Sequence, residues 1–368
     1  MKPLEGIRVV ELARILAGPW CGQLLADLGA EVVKIERPGE GDDTRHWGPP
    51  FLHDAEGENR DAAYFHACNR GKESRAIDIA TPEGQAAVRA LVAEADVVIE
   101  NYKVGGLVKY GLDAASLRAL NPRLVVCSIT GFGQTGPYAP RAGYDFIIQG
   151  MGGFMSLTGE PDGAPQKAGI AYADIFTGVY SAVAILAALR RRDVTGDGAH
   201  IDMALLDTQV GVLANQALNW MASGKVPHRM GNGHANLVPY QAFHAKDGEL
   251  IIAVGNDLQF RKLCGVLGLD YGSDPRFATN PQRVVHRALL VPLLEAAIRQ
   301  WAKADLYEAL EAEGVPAGAI NTIDEVFADP QVVARGMRIE REGVPGIAAP
   351  IVIDGERMAA DTASPKRP

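Results

Sequence analysis

Cysteine is scarce in this chain: Cys21, Cys68, Cys127 and Cys264 are the only four among 368 residues. None forms a C-x-x-C pair or stands at ligand spacing from a histidine. That pattern argues against a zinc ribbon and a disulfide framework, and for reduced thiols in a cytoplasmic or organelle-matrix protein. Excess positive charge is missing too. The formal net charge of −9 speaks against wholesale nucleic-acid binding, although a few placed basic groups suffice for a small anion. No basic, apolar and cleavable leader precedes "IRVVEL", and runs such as "VYSAVAILAAL" are too short to span a bilayer. The patterns G-x-G-x-x-G, H-E-x-x-H, Walker A and G-x-S-x-G are all lacking. Metal hydrolysis, phosphoryl transfer and serine hydrolysis therefore have no support, and neither a metal nor a permanently bound cofactor is expected.

What is present is ample apolar material, 47% of residues, in a chain longer than one core usually serves. The first half alternates strand and helix signals. "IRVVEL", "AEVVKIE", "SRAIDI", "DVVIEN" and "RLVVCSITG" read as short β-branched strands, with helices such as "TPEGQAAVRALVAEA" between them. In that helix Thr81 is placed as N-cap and Pro82 at the first helical position. The pattern predicts an α/β fold with a Rossmann-like parallel sheet covered on both faces. From about residue 225 the texture changes to a long irregular segment followed by a smaller α+β unit. The expected division is a large domain over 1–224, rejoined by 326–368, and a small domain over 225–325.

Several residues invite chemistry. The first strand–turn–helix–strand stretch ends in Glu36, where dinucleotide folds place a ribose-binding acid. Its turn, however, carries Pro19 and Trp20 between Gly18 and Gly22 instead of a glycine fingerprint. Arg37, Arg45 and His46, then Arg70, Lys72 and Arg75, cluster after the second predicted strand and before the next. Such groups suit phosphate or carboxylate, and equally an ordinary solvated loop. The segment "MGNGHA", with Gly231, Gly233 and His234, reads either as a linker turn or as a loop that excludes water from a reactive intermediate. In "YADIFTG", Asp174 precedes a long apolar helix. The residues alone leave two readings, an N-cap or an oriented, ionised nucleophile with Gly169 and Gly178 leaving room for a substrate.

The long motifs "LAGPWCGQLLADLGAEVVKIERPG", "GDDTRHWGPPF", "NRGKES", "VVIENY", "SITGFGQTGPYAPRAGYD", "YADIFTGVYSAVAILAAL" and "GDGAHIDMALLD" occur in order along nearly the full length. On these the chain resembles the class III CoA-transferases, the CaiB/BaiF family. The resemblance implies an interlocked homodimer that transfers CoA between carboxylic acids, with acyl-CoA as substrate, and with no nucleic-acid or membrane partner. It makes Asp174 the carboxylate that forms an anhydride and then an aspartyl-CoA thioester, with Gly231, Gly233 and His234 as the loop that holds off water. By motif position it places CoA against Ile15, Leu16, Ala17, Gly18, Arg37, Lys72, Asn101, Tyr102 and Lys109. Arg141 stands in for a lysine that some relatives carry at the position of Ala142. The related racemases have a His in a "GHD" motif where this chain has Tyr144. A tyrosine, with an ordinary pKa near ~10, is a poor base at neutral pH, so transfer is favoured over the alternative of racemisation or epimerisation. The motifs look most like those of enzymes that move CoA from succinyl-CoA to a small dicarboxylate, and Arg45 is the candidate for the second carboxylate. An NAD-dependent oxidoreductase is the alternative from another class.

Overall fold

The computed structural model describes residues 2–53, 57 and 59–368. The chain divides into two units, one formed by Met1–Phe154, Lys167–Leu213 and Phe327–Pro368 and the other by Met155–Gln166 and Ala214–Val326.

The first unit is built on six parallel strands: β1 (Arg8–Glu11), β2 (Glu31–Glu36), β3 (Lys72–Ala76), β4 (Val97–Glu100), β5 (Val125–Thr130) and β6 (Ala199–Ala204). Their spatial order is β3-β2-β1-β4-β5-β6, with every neighbouring pair parallel. This is the doubly wound order in which the direction of winding reverses between β1 and β4. Successive residues of a strand point to opposite faces. Val9, Val97, Ile99, Val125 and Cys127 join one core with helices α1 (Ala17–Asp27) and α6 (Tyr172–Thr195). Val10, Val98 and Val126 join the other with Val88 and Val92 of α3 (Pro82–Ala93) and Leu117 of α4 (Ala114–Leu120). Burial on both faces explains why the strands read as continuous apolar runs. Thr81 caps α3, its side chain accepting from the Gly84 N–H, with Pro82 in the first turn. Two further helices, α2 (Ala63–His66) and α5 (Asp145–Met151), complete the part of this unit that bears on the site.

Helix α6 differs from the sequence expectation. It runs for 24 residues and stops at Gly196 in the left-handed region. By length and composition alone it could cross a bilayer, its most apolar stretch having a mean hydropathy of 1.6. Here Thr177, Gly178, Ser181, Ile185 and Leu189 give it a buried face. At Gly178 the missing Cβ is what permits packing, because one would meet the Ala17 carbonyl oxygen at 2.7 Å and Trp20 at 3.0 Å. Gly178 therefore serves the packing of α1 on α6, and the expectation that it leaves room for a substrate is corrected. Gly169 has open space beside it.

The second unit holds the antiparallel strands β7 (Tyr240–Ala245), β8 (Gly248–Ala253) and β9 (Ala317–Ala319) in the order β9-β8-β7. Phe243, Leu250, Ile252, Phe260, Phe277, Leu294 and Leu306 form its core. Between the units the chain forms two separate helices, Leu205–Gly211 and Ala214–Ser223, and Ala214 has φ 44. The division between units falls at that break instead of at residue 224, and residues 155–166 go with the second unit.

Candidate active site

The turn after β1 and the turn after β4 lie where the winding reverses, the crevice in which open α/β sheets bind ligands. A cavity of about 490 Å³ opens there, lined by Arg14, Ile15, Leu16 and Ala17 from the first turn and Asn101, Tyr102 and Lys103 from the second. Lys109, Arg141, Tyr144 and Asp174 complete its wall.

The floor beneath the first turn is a buried ionic cluster. Lys34 Nζ lies 3.0 Å from Glu11, 2.9 Å from Asp42 and 2.8 Å from the Ala13 carbonyl oxygen. Lys72 Nζ lies 2.8 Å from Glu11 and also donates to Pro19 O and Asn69 Oδ1. Burial works against the Lys34 charge, but Glu11, Asp42 and Glu36 more than offset it and hold the ammonium well above its ordinary value. Two ammonium groups and two carboxylates held by these ion pairs make a stiff base for the loop above. Ile15 needs that base, since its φ of 73 is costly for a β-branched residue. Its N–H bonds to Asp42, and both Arg14 backbone groups are held by the Asn101 side chain, at 2.9 and 2.7 Å. On another wall Gly131 and Gly143 bring two backbones together, and a Cβ on Gly131 would stand 2.5 Å from the Gly143 Cα.

Asp174 is not the N-cap of its helix. Ala171 holds that position, and the capping acceptor is Asp145, from α5. Its Oδ1 accepts the N–H of Ala173 at 2.8 Å and of Asp174 at 3.3 Å. The Asp174 carboxyl has no ion pair or side-chain hydrogen bond among the described residues. Burial, with the like charge of Asp145 second, raises its pKa from 3.8 to about 7. The expectation of a firmly ionised acid at a helix start is thus corrected to one that titrates near neutrality. Tyr64 is close enough for Asp174 to act on it. Burial first, then Asp174, pushes its hydroxyl up to about 12, so it stays a neutral donor. Trp47 packs edge-on against Tyr64, with ring centroids 5.2 Å apart.

The candidates named from sequence fall into four groups. Ile15, Leu16, Ala17, Asn101, Tyr102, Lys109, Arg141, Tyr144 and Asp174 share the cavity. Arg37 is exposed beside it, paired with Glu40 and near enough to bias the Tyr102 hydroxyl. Lys109 and Arg141 lie over the rings of Tyr110 and Tyr138, at 4.7 and 3.9 Å.

Others are spent elsewhere and are corrected. Lys72 is buried in the cluster just described and is no surface contact for CoA. Arg45 is wholly buried, bonded to Glu36 and Asp61 over the face of Phe65, so it has nothing left for a substrate carboxylate. Arg70 is likewise consumed by Asp27. Gly18 packs on Ala13 and Ile99 below the cavity wall. Glu36, bonded to Arg45 and the Asp42 N–H, is withdrawn from any ribose role, which removes the chief support for a dinucleotide.

Gly231, Gly233 and His234 lie in the second unit. Gly231 N–H bonds to Gly159 O, Gly233 N–H to Met230 O, and the His234 ring packs at a tilt against Tyr240. The two glycines line a separate cavity of about 710 Å³ with Arg229 and Arg287. Sequence reasoning missed Arg14 and Lys103 in the cavity that Asp174 lines, although they flank the motifs that were read. It also missed Tyr64 and Asp145, which come beside Asp174 only when distant segments meet.

The profile of CoA-transferase family III matches residues 4–367. The chain belongs to CoA-transferase family III. It is 58% identical over 370 residues to a succinate–glutarate CoA-transferase of Agrobacterium fabrum, covering 99% of this chain and 92% of that one. It is 41% identical over 343 residues to the human succinyl-CoA:glutarate CoA-transferase, covering 93% and 77%. Among solved structures, a CaiB/BaiF family protein of Brucella suis is similar with a TM-score of 0.88 and 62% identity, covering 99% and 96%. The protein is therefore a CoA-transferase with the α/β fold of its family, working on CoA thioesters and carboxylates.

Proposed function

We propose that the protein moves CoA reversibly from succinyl-CoA to a small dicarboxylate such as glutarate, with Asp174 as the covalent carrier. The observation that carries this is a carboxyl titrating near neutrality, with no ion pair of its own, in a cavity walled by Arg14, Lys103, Lys109 and Arg141. The cationic rim suits the phosphates of CoA, with Arg37 beside it. The Asp174 carboxylate attacks the succinyl thioester carbonyl, the C–S bond breaks, and CoA thiolate leaves a succinyl–aspartyl anhydride. The thiolate then attacks the aspartyl carbonyl and expels succinate, giving aspartyl-CoA. The acceptor carboxylate attacks that thioester and releases thiolate again. Thiolate finally takes the acyl group from the second anhydride and restores Asp174. Each step exchanges one activated acyl bond for another, so no nucleotide is consumed. An acid with a pKa near 7 is more nucleophilic when ionised than an ordinary carboxylate and is substantially ionised at neutral pH.

The glycine loop at 231–234 is read as the cover that keeps water from the anhydrides. The working form is read as a homodimer in the cytoplasm or an organelle matrix. In keeping with a dimer, α5 and α6 expose the large apolar side chains of Phe146, Ile147, Met151, Val179, Tyr180 and Val183. Incubation with succinyl-CoA and a panel of mono- and dicarboxylic acids, read by product mass, tests the substrate assignment. Glutaryl-CoA is expected among the best products, and transfer confined to monocarboxylates would overturn it.

A further inference from the structure

Asp145 stands at the starts of two helices at once. It is the first residue of α5, and its Oδ1 receives the N–H groups of Ala173 and Asp174 in the first turn of α6. Its Oδ2 accepts from Gln149 Nε2 at 2.7 Å. Gln149 is fully buried, and its Oε1 takes the Ala168 N–H at 2.8 Å, which fixes the segment entering α6. The α6 start is thus capped by a carboxylate from another helix, a task that falls to the N-cap side chain in most helices and that Ala171 cannot perform.

We propose that Asp145 is a positioning residue for Asp174. By supplying the capping charge from outside, it leaves the Asp174 carboxyl unbonded and open to the cavity, and its own negative charge makes Asp174 a more basic nucleophile. The inference rests on Asp174 being the group that attacks the thioester. The titratable groups around the pair are few. Tyr64, on α2, stays neutral through the working range. Arg14, Lys103, Lys109, Arg141 and Tyr144 line the same cavity, and burial pushes the Tyr102 hydroxyl up. An acid limb near neutrality that moves with the charge at position 145 is therefore the signature of Asp174.

The test is kcat/KM for succinyl-CoA from pH 5 to 9 in the wild type, Asp145→Asn and Asp145→Glu. Asp145→Asn keeps an acceptor for the helix N–H groups and loses the charge. Its acid limb is expected to move down by about half to one pH unit, raising activity at pH 5.5, relative to its own plateau, by roughly three- to tenfold. Asp145→Glu keeps the charge, so its limb stays in place while kcat falls. Asp145→Ser, also an uncharged cap, reads the same shift if the Asn protein does not accumulate. Hydroxylamine trapping with succinyl-CoA in the wild type separates the two layers of the argument. Modification of Asp174 with an unmoved limb in both uncharged variants overturns the role of Asp145 alone. Modification of a different residue removes the nucleophile and both readings with it.

Discussion

Replacing Asp174 by Asn should stabilise the protein while abolishing transfer, and the stabilisation should grow with pH. The reason is the displaced titration of Asp174, raised from 3.8 to about 7 by burial and by Asp145. Between those two values the folded chain holds a proton that the unfolded chain has released. Folding stability therefore falls as pH rises through this window, the cost being absent below 3.8 and fully present above 7. Three pH units at about 1.4 kcal/mol each set a ceiling of about 4 kcal/mol. Water entering the cavity and the half-buried setting reduce this to about 1–3 kcal/mol. The amide keeps the size of the carboxyl and has no charge to desolvate, so it escapes the penalty. Urea unfolding of both proteins at pH 5 and pH 8 measures the effect. The variant should be the more stable at pH 8, and its advantage there should exceed that at pH 5 by about 1–2 kcal/mol. Equal differences at the two pH values, or a less stable variant at pH 8, would refute the reasoning.

Lys72→Met leaves Glu11 with one ammonium partner fewer in a fully buried cluster, and should cost about 3–5 kcal/mol of stability in denaturant melts. Arg37→Ala, at an exposed site beside the cavity, should leave melting unchanged and raise KM for succinyl-CoA about three- to tenfold in initial-rate assays. Gly143→Ala sets a methyl group against the Gly131 backbone, which has no flexible end to yield. A loss of about 1–3 kcal/mol in thermal or urea unfolding is expected, with weaker CoA binding by calorimetry.

The sheet was legible because its strands are buried on both faces. Val97–Ile99 and Val125–Cys127 carry β-branched residues without alternation, and the helices between them have readable starts such as Thr81–Pro82. The break at Val212–Leu213 is marked in sequence only by Gly211, which a helix tolerates, while apolar residues continue on both sides and the φ of Ala214 makes the turn. At the site, residues adjacent in sequence to the β1 and β4 turns could be read, because a doubly wound sheet brings those turns together. Basic residues were harder. Arg37, Arg45 and Lys72 look alike in a charged loop, yet Arg37 is exposed while the other two are locked to Glu36, Asp61 and Glu11. Which cation meets solvent is decided by partners that lie 9 to 61 residues away in the chain. The same holds for Asp145, whose 28-residue separation from Ala173 hides a cap that local rules place within the helix itself.

The central claim is that Asp174 carries the acyl group and then CoA. Incubating the wild type with succinyl-CoA, quenching with hydroxylamine or borohydride, and sequencing peptides by mass tests it most directly. A hydroxamate or reduced side chain at Asp174, formed only with the thioester present and absent from Asp174→Asn, is the predicted result. Transfer of CoA with Asp174 unmodified, or undiminished transfer by the Asn variant, would contradict it.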